Sequence, residues 1–426
     1  MQSRLLVLGS GELGTACALS LLANGNEATM VTMLGRDKEY LHDLQHGSRA
    51  FRPFDHRVRV PSRLSFQEMG GGLLESGEAS FLCVPVTSFA GKDDATSPAS
   101  ADPPVLQCLR QHADAPTFVF SRGLSRGGLT PCEQINHAMC SQASKLVVVS
   151  GPLFAKEWAA ASAQELRSDS SNSSSNGNNG ISLAFAMDDA TDAAARVAVQ
   201  ELTERLWRRE CVTWLMEPAA AGVLSLVNAC VPLCSMGAGL VSSEYPSCVS
   251  AMMSYMQHAI SATERLVNEV LSRPQGTPLP ACAVTTLAMA CTNHASREFI
   301  FGRRLNFHFR HHDAIRAVFP GNSHEPLDAT VEGLHTLLQQ RSLSSPFYEV
   351  LMDAFLTVLR ASVVGRGLVK TGCYDYRHHL RVEDSSLLQH ALAMDEAVLS
   401  GDEQRFEKTR QAVAMTFGGS TAPPPP

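Results

Sequence analysis

An open parallel α/β sheet followed by an all-helical region is the architecture this sequence predicts, on three observations. A short apolar run, Leu5 to Leu8, breaks at Gly9-Ser10-Gly11-Glu12-Leu13-Gly14 and resumes with helical periodicity through Leu22. Short buried-strand patterns then recur, each closed by a turn signal. From Ala190, and most clearly over Pro218 to Val270, the pattern becomes long and helical, with few turn signals before Ser272-Arg273-Pro274-Gln275-Gly276.

The first element reads as strand, tight turn and helix. Gly9 permits the turn, Gly11 lets a pyrophosphate approach the backbone, and Gly14 lets the helix pack closely on the strand. Free N–H groups at the helix start attract phosphate charge. A G-x-G-x-x-G run carries meaning only between a strand pattern and a helix pattern, and this one has both. Gly9, Ser10, Gly11, Glu12, Leu13 and Gly14 are therefore assigned to a bound dinucleotide. The fold class is α/β, with a Rossmann-type doubly wound N-terminal domain followed by an all-α C-terminal domain.

A second strand is expected over Glu27 to Met33, with Arg36 close behind it. An acid at the end of that strand would hold the ribose 2′-hydroxyl of NAD, whereas an arginine accommodates the 2′-phosphate of NADP. Arg36 and, one position later, Asp37 are the candidates, so the cofactor is NAD or NADP. Ala79 to Val84, followed by Pro85, and Thr117 to Phe120 read as further buried strands. Val147 to Val149 makes another, and all end in loops at the ligand-binding edge of a parallel sheet.

The first domain is placed at residues 1–216, a helical domain at 217–415 and a disordered tail at 416–426. Lys92 to Pro104 reads as a surface loop. Residues 168–180, almost wholly Ser, Asn, Gly and Asp, form a low-complexity insertion that cannot build a core. His308, His311 and His312, near the single carboxylate of Asp313, read as a surface cluster rather than a metal site.

Composition narrows the function classes. The chain has 426 residues, 44% of them hydrophobic and 18% charged, and a formal charge of -7 offers no basic face for nucleic acid. Twelve cysteines without a C-x-x-C pair point to reduced thiols and an intracellular setting. Cys230 and Cys234, one helical turn apart, read as core residues. The first strand begins almost at Met1, which predicts no leader segment and a cytoplasmic protein. No apolar run is expected to reach the length of a membrane span.

Val147-Val148-Val149-Ser150-Gly151-Pro152-Leu153-Phe154-Ala155-Lys156-Glu157, with the glycine turn upstream, closely resembles the NAD-dependent glycerol-3-phosphate dehydrogenases. In that family a Ser-Gly-Pro-x-Phe-Ala-x-Glu segment lines the crevice between two domains. Other elements follow in the family's order. Ser121-Arg122-Gly123-Leu124 stands where the family has Lys-Gly-(Leu or Ile), and Asn228 stands in the Lys-Asn pair of a buried helix. Leu287 to Thr292 and Ser296-Arg297-Glu298 resemble the Gly-x-Gly-Asp and Ser-Arg-Asn run, and Val331-Glu332-Gly333 a late Val-Glu-Gly element. The resemblance implies cofactor contacts from Arg36, Arg122, Ala155, Arg297 and Glu332. It implies contacts to a small phosphorylated triose from Arg122, Gly151, Asn228, Ser296 and Arg297. A homo-oligomer is compatible with the apolar helices, which could equally form only the second domain's core.

The family moves a hydride between nicotinamide and C2 of dihydroxyacetone phosphate or glycerol 3-phosphate, and the substrate oxygen must gain or lose a proton. By resemblance, a lysine oriented by an aspartate and helped by a second lysine does this. Here the first lysine is Val227, the aspartate is Thr286 and the second lysine is Arg122. Between Lys156 and Lys370 the chain has no lysine at all. Valine carries no proton, and arginine stays protonated and donates poorly. Catalytic residues are therefore unassigned. Three readings follow: a divergent dehydrogenase using Arg122 or water, a nucleotide-binding relative with a regulatory, assembly or scaffold role, or an oxidoreductase of the wider family acting on another hydroxy acid. Arg297 reads as an anion ligand or as the structural partner of Glu298, and Asn228 as a ligand contact or a buried structural amide.

Overall fold

The computed structural model describes residues 3–24, 28–54, 60–70, 77–89, 103–139, 145–167, 181–188, 191–207, 211–303 and 325–364. The low-complexity insertion, the histidine cluster, most of the Lys92 to Pro104 loop and everything after Val364 lie outside these residues.

Eight strands form one sheet in the order β3-β2-β1-β4-β5-β6-β7-β8. They are β1 (Ser3–Leu8), β2 (Thr29–Gly35), β3 (Leu64–Glu68), β4 (Ala79–Leu82), β5 (Thr117–Val119), β6 (Leu146–Ser150), β7 (Leu183–Met187) and β8 (Val212–Trp214). All pairings are parallel except β6 with β7. The first six follow the doubly wound order that reverses between β1 and β4, and such a reversal opens a crevice at the carboxyl ends of the strands.

Alternation along the strands builds two cores. Leu5 and Val7 pack with Cys17 and Leu21 of α1 (Glu12–Asn24), while Leu6 and Leu8 pack with Val105 and Leu109 of α3 (Pro104–Gln111). Successive side chains point to opposite faces, so a strand covered by helices on both sides must be apolar throughout. On the α1 side, Phe81, Phe118 and Phe185 close around Trp207, with ring centroids 5.4–5.8 Å from the indole.

Strand β2 begins two residues later than the sequence pattern suggests and extends to Gly35. Strands β3, β7 and β8 are additions to the expected set. Two further helices flank this part of the chain, α2 (Lys38–Gln45) and α4 (Pro131–Met139), followed by α5 (Ala155–Arg167) and α6 (Ala193–Leu206).

Beyond β8 the described chain is helical: α7 (Ala220–Glu244), α8 (Val249–Val270), α9 (Ala281–Thr292), α10 (Glu325–Arg341) and α11 (Pro346–Val364). Helix α7 is the central rod and is buried among its neighbours over most of its length. By length and composition it is long and apolar enough to cross a membrane, which corrects the expectation that no run would reach that length. Its apolar surface is instead covered by α8, α9, α11 and the sheet. Cys230 and Cys234 lie in this core, where burial pushes the Cys234 thiol up to about 11 and raises Cys230 as well, so both stay protonated.

A close backbone approach positions one wall of the crevice. A Cβ on Gly239 of α7 would overlap the Phe299 carbonyl, and one on Gly302 would overlap the Met236 carbonyl. Helical residues 297–303 are thereby pressed onto α7, which carries Arg297 and Glu298 to the mouth of the β1–β4 reversal.

Candidate functional site

A crevice of about 540 Å³ opens where the strand order reverses. That volume suits a ligand of cofactor size. Its floor is the glycine turn, Gly9 to Leu13, and its sides come from Gly35 to Asp37, Cys83 to Pro85, Phe120 to Arg122, Val231, Pro232, Arg297, Glu298 and the start of α10.

The turn has the shape the sequence demands. Gly9 holds a φ of 126°, and a Cβ on Gly14 would overlap the Gly9 carbonyl oxygen, so α1 sits against the turn with no room for a side chain. A Cβ on Gly11 would meet nothing within 4 Å and would project into open space. The first bond of the helix runs from the Thr15 N–H to the Gly11 carbonyl at 3.0 Å. The N–H groups before it have no helical acceptor, which is the usual condition of a first turn and the basis of anion binding there. Cradle, open space and free donors together fit a pyrophosphate.

Charge is mixed in the crevice: four arginines and three carboxylates line it. Asp37 is engaged twice, accepting from the Tyr40 N–H at 3.0 Å as the N-cap of α2 and lying 3.3 Å from Arg52. Arg297, 57% exposed at its side chain, approaches Glu12 to 4.0 Å across the crevice mouth. Arg122 and Glu298 are half-buried and interact electrostatically. Burial lowers the Arg122 pKa, and the charge of Glu298 opposes that shift. Burial raises the Glu298 carboxyl; Arg297 and Arg122 pull it back, and Glu12 adds to the rise.

Residues 4–175 match the family of NAD-dependent glycerol-3-phosphate dehydrogenase N-termini. That match lies in the N-terminal part of the chain. A glycerol-3-phosphate dehydrogenase [NAD(P)+] of Yersinia pestis is 28% identical over 156 residues, which is 36% of this chain and 41% of the relative. The match therefore spans less than half of that protein. The structure of glycerol-3-phosphate dehydrogenase from Saccharomyces cerevisiae superposes with a TM-score of 0.59 at 14% identity, covering 87% of this chain and all of that one. DsGPDH of Dunaliella salina gives 0.60 at 11% identity, covering 88% and 62%. At these identities the likeness is one of fold.

Set on the glycerol-3-phosphate dehydrogenase pattern, the expected site residues divide into two groups. Gly9, Ser10, Gly11, Glu12, Leu13, Arg36, Arg122 and Arg297 line the crevice, with Gly14 packed directly beneath. Ala155, Gly151, Asn228, Ser296 and Glu332 do not line it. Glu332 pairs with Arg126 at 3.1 Å on the outer side of α10. Ser296 accepts the Phe299 N–H at 3.0 Å and shares a hydroxyl contact with Ser235 at 2.7 Å, so it caps the helical stretch that carries Arg297.

Val227, Asn228 and Thr286 lie in a sealed interior. Val227 and Thr286 are 0% exposed. Asn228 donates to the Val149 carbonyl and accepts from Ser150 Oγ, both at 2.9 Å. Ser150 Oγ also lies 3.3 Å from Thr286 Oγ1, which donates to the Cys282 carbonyl at 2.8 Å. This network ties β6 to α7 and α9 through Asn228. Asn228→Ala removes the amide's bonds to the Val149 carbonyl and the Ser150 hydroxyl in a buried core. It is expected to lower unfolding free energy by about 2 kcal/mol, read as a shift of the urea midpoint.

Sequence reasoning missed Arg52 and Thr330 as crevice residues. Arg52 lies beyond α2 with no motif around it. Thr330 accepts the Leu124 N–H at 3.3 Å and so joins α10 to the loop after β5, a contact between residues 206 positions apart.

Proposed function

We propose that this chain is a dinucleotide-binding relative of the glycerol-3-phosphate dehydrogenases that does not use lysine-based proton transfer. It holds NAD or NADP in the crevice, with the pyrophosphate on the first turn of α1. The bound dinucleotide supplies the capacity to give or take a hydride. The protein's own groups decide whether a substrate oxygen also receives its proton.

One observation carries the reading: the position that resemblance gives to the proton-transfer lysine is Val227, closed off in an apolar core behind an intact nucleotide cradle. Val227 is fully shielded from solvent at that point. Losing a positioned general acid costs about 10²- to 10⁴-fold in rate, and its carboxylate partner is replaced by Thr286 as well. A regulatory, assembly or scaffold role, with the nucleotide as ligand or structural support, is consistent with this arrangement. Arg122 is placed to hold a phosphate or polarise a carbonyl, and Arg297 can join it once it leaves Glu12.

A second reading rests on Glu298. Its carboxyl lies in the crevice near Arg122 with a raised pKa, so it keeps its proton to higher pH than an ordinary glutamate. In that case carbonyl reduction would proceed with Glu298 as the acid, its rate would fall as pH rises through the carboxyl's pKa, and Glu298→Gln would remove it.

Isothermal calorimetry separates the parts. Either dinucleotide is expected to bind at one site per chain and to raise the melting temperature, while dihydroxyacetone phosphate produces no further rise. Absence of dinucleotide binding to folded protein would overturn the proposal.

A further inference from the structure

We propose that the β2 side of the crevice is a phosphate-binding subsite built on Arg36 and Arg52, and that the protein selects NADP(H) over NAD(H). This rests on the dinucleotide reading above and names which dinucleotide the site takes.

The argument starts from the residue that ends β2. In a doubly wound sheet the adenosine ribose lies at this point, and an acid there receives the two hydroxyls of NAD. Strand β2 ends at Gly35, and the next residue is Arg36, exposed and lining the crevice. Among the described residues Arg36 has no hydrogen bond or ion pair, so its guanidinium donors are available.

Among the described residues, the crevice acid next to Arg36 in sequence, Asp37, is already committed. One carboxylate oxygen takes the Tyr40 N–H at 3.0 Å and caps α2, and the other faces Arg52 at 3.3 Å. Moving this carboxylate to a ribose would uncap the helix and strand Arg52. An N-cap aspartate is worth about 1 kcal/mol to its helix, so the present arrangement is favoured. Asp37 thus acts as a clamp on Arg52 rather than as a ribose acceptor.

Arg52 is further fixed by its position 4.5 Å above the Tyr40 ring. A cation held by stacking and by an ion pair loses little freedom when it also meets a phosphate. Lys38 is not part of this subsite, since it pairs with Glu68 at 3.6 Å. The crevice residues here sum to two guanidinium charges against one carboxylate, a balance that suits a phosphomonoester better than a neutral ribose hydroxyl.

The test is calorimetric titration of the full chain with NADPH and with NADH at low and at physiological salt. NADPH is expected to bind roughly tenfold or more tightly than NADH, as one or two charge-assisted contacts would give, with the gap narrowing as salt is added. Arg36→Ala should weaken NADPH about tenfold and NADH within about twofold, and Arg36→Asp should reverse the ranking, with the melting temperature of the free protein as a control for folding. NADH binding as tightly as NADPH, or a gap that Arg36→Ala leaves intact, would overturn the inference while leaving the crevice reading in place. Failure of both dinucleotides to bind folded protein would overturn both.

Discussion

Gly11→Ala is expected to leave the protein as stable as the parent and to weaken dinucleotide binding by tenfold or more. The two effects separate because of where the added methyl goes. Nothing lies within 4 Å of a Cβ at Gly11, so the folded chain accommodates it. That same open space is the bed of the pyrophosphate, and backing a phosphate away from the turn by a methyl's width loses its bonds to the first N–H groups of α1. Gly14→Ala is the contrasting case. Its Cβ would overlap the Gly9 carbonyl, so α1 must move off the turn, and about 3 kcal/mol of stability is expected to go with it. Urea melts and calorimetry on the two variants give opposite patterns if the turn is a ligand cradle. A parallel loss of stability and binding in both would mean the turn only packs.

Val227→Lys is expected to destabilise the chain by about 3 to 5 kcal/mol, as an unpaired charge does in a dry interior. Val227 is fully buried among Leu224, Cys230 and Leu287 in the helical core. Thr286→Asp alone should also destabilise, because it desolvates a carboxylate beside the Cys282 carbonyl that Thr286 now bonds. Helices α7 and α9 pack on each other, and Asn228, next in sequence to Val227, meets the same Ser150 hydroxyl as Thr286, so the two new charges would sit on facing helices. The double variant should recover about 1 to 3 kcal/mol relative to the sum of the singles. Additive losses in a double-mutant cycle would show that positions 227 and 286 do not face each other, and that the family's lysine and aspartate have no counterpart here.

What the sequence made legible follows from how local each signal is. The glycine turn, its strand and its helix are contiguous, and the steric demands of Gly9 and Gly14 are those the motif implies. The continuous apolar runs of β1, β4, β5 and β6 were equally plain, because a strand covered on both faces has no polar alternation to blur it. Edge and near-edge strands were not. In β3 only Leu64 is buried, and β8 is three residues with none buried, so neither offers a hydrophobic pattern. Strand β7 is fully buried, yet its antiparallel pairing with β6 is set by a connection through α5 that no local residue announces.

The site shows the same division. Arg36, read from its place behind the second strand, and Arg122, read from resemblance, both line the crevice. Arg297 interacts with its neighbour Glu298, as the sequence suggested, and also with Glu12, which the chain brings to 4.0 Å from 285 positions away and which no local pattern announces. Glu332 and Ser296 were placed by resemblance to short motifs, and in this chain Glu332 pairs with Arg126 of the loop after β5 while Ser296 caps its own helical stretch. Asn228 kept the family's residue but serves a network that holds the sheet to the helices.

The central claim is that an intact nucleotide crevice here lacks the family's means of moving a proton. It is tested most directly by following NADPH and NADH absorbance at high protein concentration with saturating dihydroxyacetone phosphate, in samples where calorimetry has shown the dinucleotide bound. The expected trace is flat, with no oxidation above the protein-free rate. Oxidation that requires dihydroxyacetone phosphate, and that disappears in the Gly11→Ala variant, would contradict it.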